Sequence, residues 1–127
     1  MSQIRMVLLI VFWFGFDSAA FAQDNTNTSD QKAIDKLTRQ AIELRASGNF
    51  EKSLLISRLA LRKSIVMDDN VLIAKNYNNV AANYNDLAEF DKAIFYYNKA
   101  LVFANFTQND SIKQKVNNNL GNVYCFE

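Results

Sequence analysis

Apolar residues recur along much of this chain at the spacing of one face of a helix. In the segment from Ala33 to Ala46 they stand at Ala33, Ile34, Leu37, Ala41, Ile42 and Leu44. In the segment from Phe50 to Val66 they stand at Leu54, Leu55, Leu59, Ala60, Leu61 and Ile65. Each set forms one wide apolar stripe, and Gly48 lies between them, where glycine lets a helix end in a left-handed conformation. The pattern therefore predicts a helical hairpin whose apolar faces meet.

The remaining sequence predicts three further helices. The third runs to about Leu87, the fourth from Phe90 to about Phe106, and the fifth reaches Phe126. Their candidate capping residues, all with short polar side chains, are Asp68, Asp69 or Asn70 for the third helix and Asn109 or Asp110 for the fifth. The chain has no proline, and such a sequence favours long helices over a meander of short strands. We therefore expect an all-α fold.

The predicted helices repeat along the chain with a period of 40 residues. The stretch KNYNNVAANY from Lys75 and the stretch KVNNNLGNVY from Lys115 agree at the lysine, at two successive asparagines and at the final tyrosine. Two helical registers recur three times, namely Ala41, Ala81 and Gly121, and Leu44, Tyr84 and Tyr124. Self-similarity at such a period is typical of stacked repeat arrays. The small residues would let paired helices approach closely, and the larger ones would fill the gap one turn later.

The repeated residues resemble those of the tetratricopeptide repeat (TPR). LGNVY at Leu120 to Tyr124 matches the L-G-x-x-Y core of that repeat, and further matches stand at Gly48, Phe50, Ala93, Tyr97, Ala100 and Leu101. The unit is longer here, at about 40 residues where the usual one has about 34, which resembles the long-period arrays found ahead of bacterial membrane-bound sensors. Ser53 and Ser57 depart from the pattern, where a small apolar and an aromatic residue are usual. The resemblance implies antiparallel helical hairpins stacked as a right-handed solenoid, with repeats at about 31–68 and 70–108 and a half repeat at 110–127.

In that family the first helix of each hairpin lines a concave groove that binds peptides. The resemblance places on this face Lys75, Asn78, Asn79, Lys115, Asn118, Asn119 and Asn122. Asparagine carries a donor and an acceptor, so it can pair with both polar groups of a peptide backbone, and lysine can hold a carboxylate or another anion. The expected function is thus a non-catalytic scaffold with a protein or peptide ligand. Two alternatives stay open: the asparagines only fill the surface, or the module is structural or oligomeric and has no groove ligand.

Composition argues against several other classes of function. The chain has no histidine, which removes the usual general base and most zinc sites, so we expect no enzyme activity, no cofactor and no metal. A net charge of +1 without a basic patch argues against a nucleic-acid partner. The exposed charges of the second helices are interpreted as a solvent-facing surface, formed by Lys52, Arg58, Arg62 and Lys63.

The N-terminal residues predict export. Arg5, the apolar run from Met6 to Phe16 and the small residues around Ala22 are typical of a signal peptide over residues 1–22, cleaved before Gln23. Residues 23–30 are polar and predict a flexible leader. We expect a periplasmic or secreted protein with no stable membrane span after cleavage; the alternative is an anchor that is retained through residues 4–22.

The fifth predicted helix has no partner within the sequence. Its residues Leu120, Val123, Tyr124 and Phe126 are expected to face nothing that the chain supplies. Because each hairpin of a repeat array leaves one apolar side for its neighbour to cover, two explanations remain. The sequence is a fragment of a longer protein, for which the resemblance implies a sensory array ahead of a signalling domain, or this side mediates self-association.

Overall fold

A computed structural model describes residues 26–125, and these residues form five helices and no strand. Helix α1 covers residues 26–46, and the others are α2 (Phe50–Met67), α3 (Asn70–Asp86), α4 (Phe90–Asn105) and α5 (Asp110–Tyr124). The chain divides into two units, residues 1–32 and residues 33–127, and only residues 26–32 of the first are described. The all-α prediction is therefore confirmed for the described part of the chain.

The hairpin turns of α1–α2 and α3–α4 have the same geometry. Gly48 and Ala88, which occupy equivalent places in the two hairpins, both adopt a left-handed conformation, with φ of 83° and 59°. In the first turn the Gly48 N–H donates to Arg45 O at 3.0 Å and the Asn49 N–H to Leu44 O at 2.9 Å. The Ala88 N–H and the Glu89 N–H make the equivalent bonds at 3.0 Å and 2.9 Å. This pair of bonds is the Schellman ending of a helix, and both hairpins use it.

The two helices that follow a hairpin begin with equivalent caps. The Asp69 side chain accepts from the backbone N–H groups of Val71 and Leu72, at 3.0 and 3.1 Å. The Asn109 side chain accepts from the backbone N–H of Ile112 at 3.2 Å. Each cap satisfies backbone N–H donors that the first turn of a helix leaves free. Both capping residues were among the candidates predicted from the sequence for α3 and α5.

Helix α3 lies at the centre of the described fold and contacts α2, α4 and α5. It is buried on more than one side, since its fully or almost fully covered residues are Leu72, Ile73, Ala74, Asn76, Asn78, Val80, Ala81, Ala82, Asn83 and Tyr84. Its partner α4 contributes Ala93, Tyr97, Ala100 and Ala104 to the same core. The alanines among these residues allow α3 and α4 to pack closely.

Helices α2 and α4 are buried in the same pattern. Residues 51–60 and residues 91–100 are exposed, half-buried or buried in the same order at every position. Ser53 and Ser57 therefore occupy the places of Ala93 and Tyr97, although their chemistry differs. Ser53 Oγ donates to Ala41 O at 2.7 Å across the first hairpin, which shows how closely α1 and α2 approach there.

The α2–α3 interface contains buried polar pairs that the α4–α5 interface replaces with apolar residues. Asn76 Nδ2 donates to Ser64 Oγ at 2.9 Å, and both residues are 0% exposed. One repeat later the same positions hold Ala104 and Val116, which are also 0% exposed. A hydrogen-bonded pair at one interface and an apolar pair at the next thus fill equivalent places. The hydrogen bond offsets the cost of removing the two polar groups from water.

Helix α5 differs from the expectation for its apolar residues. Val123 is 0% exposed and Leu120 is half-buried, so the prediction that both face nothing is wrong for this pair. Their side chains are on the face that contacts the preceding helices α3 and α4. Tyr124 is 53% exposed, because the equivalent Tyr84 is covered by α4 and no described helix follows α5. Phe126 lies outside the described residues.

The predicted flexible leader, residues 23–30, is described in part. Residues 26–30 are helical and exposed, and no glycine or proline stands between residues 26 and 47 to end the helix. The predicted signal peptide and residues 23–25 lie outside the described part. Within residues 26–125 no helix has the length and apolar character needed to cross a membrane.

Candidate functional site

Helices α1, α3 and α5 line a common groove with a volume of about 370 Å³. We call this surface the groove, and its lining residues are Thr38, Ile42, Lys75, Asn78, Asn79, Asn109, Ser111, Ile112 and Lys115. Helices α1 and α3 are the first helices of the two described hairpins, and α5 follows the second hairpin. An adjoining depression of about 300 Å³ extends the groove along α1 and α3, and it adds Asp35, Arg39, Leu72 and Asn76.

The groove is positively charged. Lys75 and Lys115 are exposed, and no aspartate or glutamate is among the residues that line it. Neither lysine forms a salt bridge within residues 26–125. Two ammonium groups without a protein counter-ion are available to an anion that enters from solvent. The residues that line the adjoining depression include one acidic side chain, Asp35.

Asn78 is placed on the groove as predicted, but its side chain is largely used within the protein. It is 2% exposed, and its Oδ1 accepts a hydrogen bond from Asn119 Nδ2 at 3.0 Å. The bond connects α3 to α5. These two asparagines therefore use part of each other's hydrogen-bonding capacity, and the bond between them connects two helices.

The other sequence-predicted residues fall into two groups. Lys75, Asn79 and Lys115 line the groove, and Asn79 is half-buried there. Asn118 and Asn122 are exposed but are not among the residues that line it. The structure therefore brings Lys75, Asn78, Asn79 and Lys115 together, with Asn119 behind them.

Sequence reasoning missed the apolar part of the groove. Ile42 is 51% exposed, while Ile112 is 5% exposed and also packs in the core. The helical spacing of Ile42 assigned it to the stripe that meets α2, but the structure places it at the groove with a half-exposed side chain. Asn109 was predicted only as a candidate cap of α5, and the packing of α5 beside α3 brings both Asn109 and Ser111 to the groove.

A network of hydrogen bonds fixes the floor of the adjoining depression. The Thr38 hydroxyl lies 2.9 Å from Ile34 O and 3.1 Å from Asn76 Oδ1, while Asn76 Nδ2 also donates to Leu72 O at 3.0 Å. Together with its bond to Ser64, Asn76 links α1, α2 and α3. Fixed side chains of this kind hold α1 at a set distance from α3 and so define the width of the groove.

The groove offers recognition chemistry. It combines lysine ammonium groups, amide and hydroxyl donors and acceptors, and two isoleucines, which suits an extended peptide with acidic groups. Among residues 26–125 no three cysteine, aspartate or glutamate side chains are grouped so that they could hold a metal ion. A comparison with models of known protein families gave no match, and no curated protein matched the chain.

Proposed function

We propose that residues 31–127 form a non-catalytic scaffold that binds an extended, acidic peptide of a partner protein in the groove. The observation that carries this proposal is the meeting of Lys75 and Lys115 in a groove shared by three helices, with no carboxylate in its lining. An uncompensated pair of cations beside apolar and amide groups complements a peptide that carries carboxylates.

The proposed architecture is a right-handed, TPR-like solenoid of two and a half units. Its support is the equivalence of successive hairpins: the shared Schellman turns at Gly48 and Ala88, the equivalent caps at Asp69 and Asn109, and the identical burial pattern of residues 51–60 and 91–100. In such an array the first helices line one face. The groove between α1, α3 and α5 is the surface that this architecture would offer to a ligand.

The binding mode follows from the chemistry of the lining. Carboxylates of the peptide would pair with Lys75 and Lys115, the amide of Asn79 would meet the peptide backbone, and Ile42 and Ile112 would contact its apolar side chains. Hydrogen bonds to charged groups contribute roughly 1.5–3 kcal/mol each. Ordering a flexible peptide offsets much of that gain, so the expected affinity is on the order of micromolar.

We propose further that the mature protein acts outside the cytoplasm, as the sensory part of a signalling system. The support is the signal-like N-terminal sequence over residues 1–22 and the resemblance to sensor-associated arrays. Intact mass of the exported protein tests the first part: a chain that begins at Gln23 is expected, and one that still begins at Met1 contradicts it.

A direct binding experiment tests the groove. Peptides selected by the chain from a random-sequence display library are titrated against the purified protein, each as the free acid and with its carboxylates converted to amides. We expect the acidic forms to bind, and Lys75→Gln with Lys115→Gln to weaken them at least tenfold. The matched control is Arg62→Gln with Lys99→Gln, which removes the same charge from the outer helices and should leave peptide affinity unchanged. Equal affinities for acid and amide forms would reject the proposal.

A second candidate function, self-association through α5, is favoured by one observation. Gly121 and Tyr124 are exposed on the face of α5 that corresponds to the α4-covered side of α3. Another molecule could cover this face. Size-exclusion chromatography with light scattering tests it, because Tyr124→Ser should dissociate a dimer that uses this face, and a monomeric parent protein rejects this candidate.

A further inference from the structure

The outer sides of α2 and α4 carry exposed apolar residues that the groove does not use. We call them the outer stripe, which consists of Leu55, Leu59, Val66, Phe95, Val102 and Phe106. Their spacing of four and seven residues places them on one side of each helix, opposite the buried side. They are between 38% and 86% exposed, the extremes being Leu59 and Val66.

The outer stripe recurs with the repeat. Leu55 and Phe95 occupy equivalent places in the two hairpins and are 66% and 55% exposed. Val66 and Phe106 are equivalent in the same way and are 86% and 71% exposed. Single apolar residues on a surface need no explanation, but exposed apolar residues that recur at equivalent places in two hairpins mark an interaction surface. The places equivalent to Leu59 and Val102 hold the basic residues Lys99 and Arg62. A solvent-facing role, as expected from the charged residues alone, does not account for these side chains.

Basic residues accompany the outer stripe. After Glu51 no acidic residue occurs in α2, and after Asp91 none occurs in α4. Arg62, Lys63 and Lys99 lie on the same two helices, and none of them forms a salt bridge within the described residues. The Lys99 Nζ lies 5.5 Å from the centroid of the Phe95 ring, so charge and apolar surface are directly adjacent.

We propose that the outer stripe docks the protein on an anionic phospholipid surface. Apolar side chains can enter the boundary between headgroups and acyl chains while lysine and arginine reach the phosphates. Helices α2 and α4 each pack beside α3, so the stripe is carried by two helices, and such a surface suits a broad membrane face better than a single partner helix. A second copy is disfavoured on this face, because it would bring Arg62, Lys63 and Lys99 against their own equivalents.

Vesicle partitioning of the full chain tests this inference independently of peptide binding. The probe is phosphatidylcholine vesicles with and without phosphatidylglycerol, and the readout is the ratio of the two partition coefficients. The apolar run at residues 6–16 is common to all variants, and apolar insertion does not require anionic lipid, so the ratio reports the charged contribution. We expect a ratio well above one, falling about 25-fold in Arg62→Gln with Lys99→Gln, at about fivefold for each charge near the surface.

Two further variants complete the design. Lys75→Gln with Lys115→Gln removes the same net charge from the groove and should keep the ratio within about twofold of the parent, since those lysines lie away from the stripe. Phe95→Ser with Phe106→Ser should lower partitioning into anionic vesicles by about tenfold or more through lost apolar burial. Circular dichroism checks that all variants stay folded.

Several results would overturn the inference. One is a ratio near one for the parent protein, and another is an equal loss in the groove and outer charge variants, which would reflect net charge alone. A dimer that dissociates in Phe95→Ser with Phe106→Ser would assign the stripe to self-association. Binding of an acidic amphipathic peptide to the stripe, without vesicle binding, would assign it to a protein partner.

Discussion

Asn119 Nδ2 donates a hydrogen bond to Asn78 Oδ1 at 3.0 Å, and this bond joins α5 to α3 beside the groove. The two residues stand in successive repeats on the face predicted to bind peptide. Because Asn78 is 2% exposed, its acceptor cannot turn to water if the bond is lost. This hydrogen bond therefore distinguishes asparagines that connect two helices from asparagines whose side chains remain available to a ligand.

Replacing Asn119 should reduce stability. Asn119→Ala leaves Asn78 Oδ1 buried without its donor, and an unsatisfied buried group costs about 1–3 kcal/mol. The neighbouring Asn118 is exposed, so Asn118→Ala is a matched control that should change the free energy of unfolding by less than about 0.5 kcal/mol. Urea denaturation measures both. Equal effects of the two substitutions would show that the interhelix bond has no structural weight.

Replacing Ala88 with glycine should stabilise the protein. Ala88 has φ of 59° and Gly48 at the equivalent place has φ of 83°. A left-handed conformation costs an L-residue roughly 1–2 kcal/mol that glycine does not incur. Ala88→Gly is therefore expected to raise the free energy of unfolding by about 1 kcal/mol.

The reverse change in the first hairpin provides the control. A Cβ added at Gly48 would meet no atom within 4 Å, so Gly48→Ala acts through the backbone alone and should lower stability by about 1 kcal/mol. If Ala88→Gly destabilises the protein in thermal or urea unfolding, the conformational equivalence of the two turns is wrong.

The buried pair Ser64 and Asn76 should be replaceable as a pair. Ser64→Ala alone removes one partner of a buried amide and should cost about 1–2 kcal/mol. Ser64→Ala with Asn76→Val copies the apolar pair Ala104 and Val116 of the next interface, and apolar replacement of both partners can be nearly neutral. A double-mutant cycle measures the coupling; a double variant that is less stable than the sum of the single changes contradicts the equivalence of the interfaces.

Stability should fall in alkaline solution because of Tyr97. Burial raises the pKa of the Tyr97 phenol from 10.0 to about 12, since the charged phenolate is poorly solvated among the core residues. The folded pKa is raised, so the stabilisation is complete below about pH 10 and is lost as the pH rises toward 12. The loss attributable to this group is on the order of 2 kcal/mol.

Tyr97→Phe isolates this effect from the titration of lysines and of the other tyrosines. Urea unfolding of the parent and the variant at pH 9 and pH 11 gives four free energies, and the decrease between the two pH values should be smaller in Tyr97→Phe. An identical decrease in both proteins would mean that Tyr97 titrates normally in the folded state.

Much of the fold could be predicted from the sequence because local patterns decide it. The predicted start of α2 at Phe50 and of α4 at Phe90 agree with the structure, and Asp69 was among the predicted caps. These features depend on helical periodicity, glycine and short polar side chains, all of which act over a few residues. Gly48 and Ala88 are one repeat apart, and their turns have the same geometry although alanine stands at the second turn, where glycine is usual.

The rest depends on which helix lies beside which. Leu120 and Val123 looked unpartnered because the sequence does not say that α5 packs its apolar side against the preceding helices. Asn78 and Asn119 looked alike on the predicted face, yet a side-chain hydrogen bond between helices leaves no trace in the spacing of either. Ile42 joined the groove for a related reason, since only the arrangement of α1 beside α3 shows that its outer side stays open.

The most direct test of the central claim is an NMR titration of the ¹⁵N-labelled full chain with a peptide selected for binding. We expect the shifted backbone amides to cluster at the groove, including Lys75, Asn79, Ile112 and Lys115, and the amides of Phe95 and Val102 on the outer stripe to stay unchanged. Shifts confined to α2 and α4, or spread without relation to the groove, would contradict it.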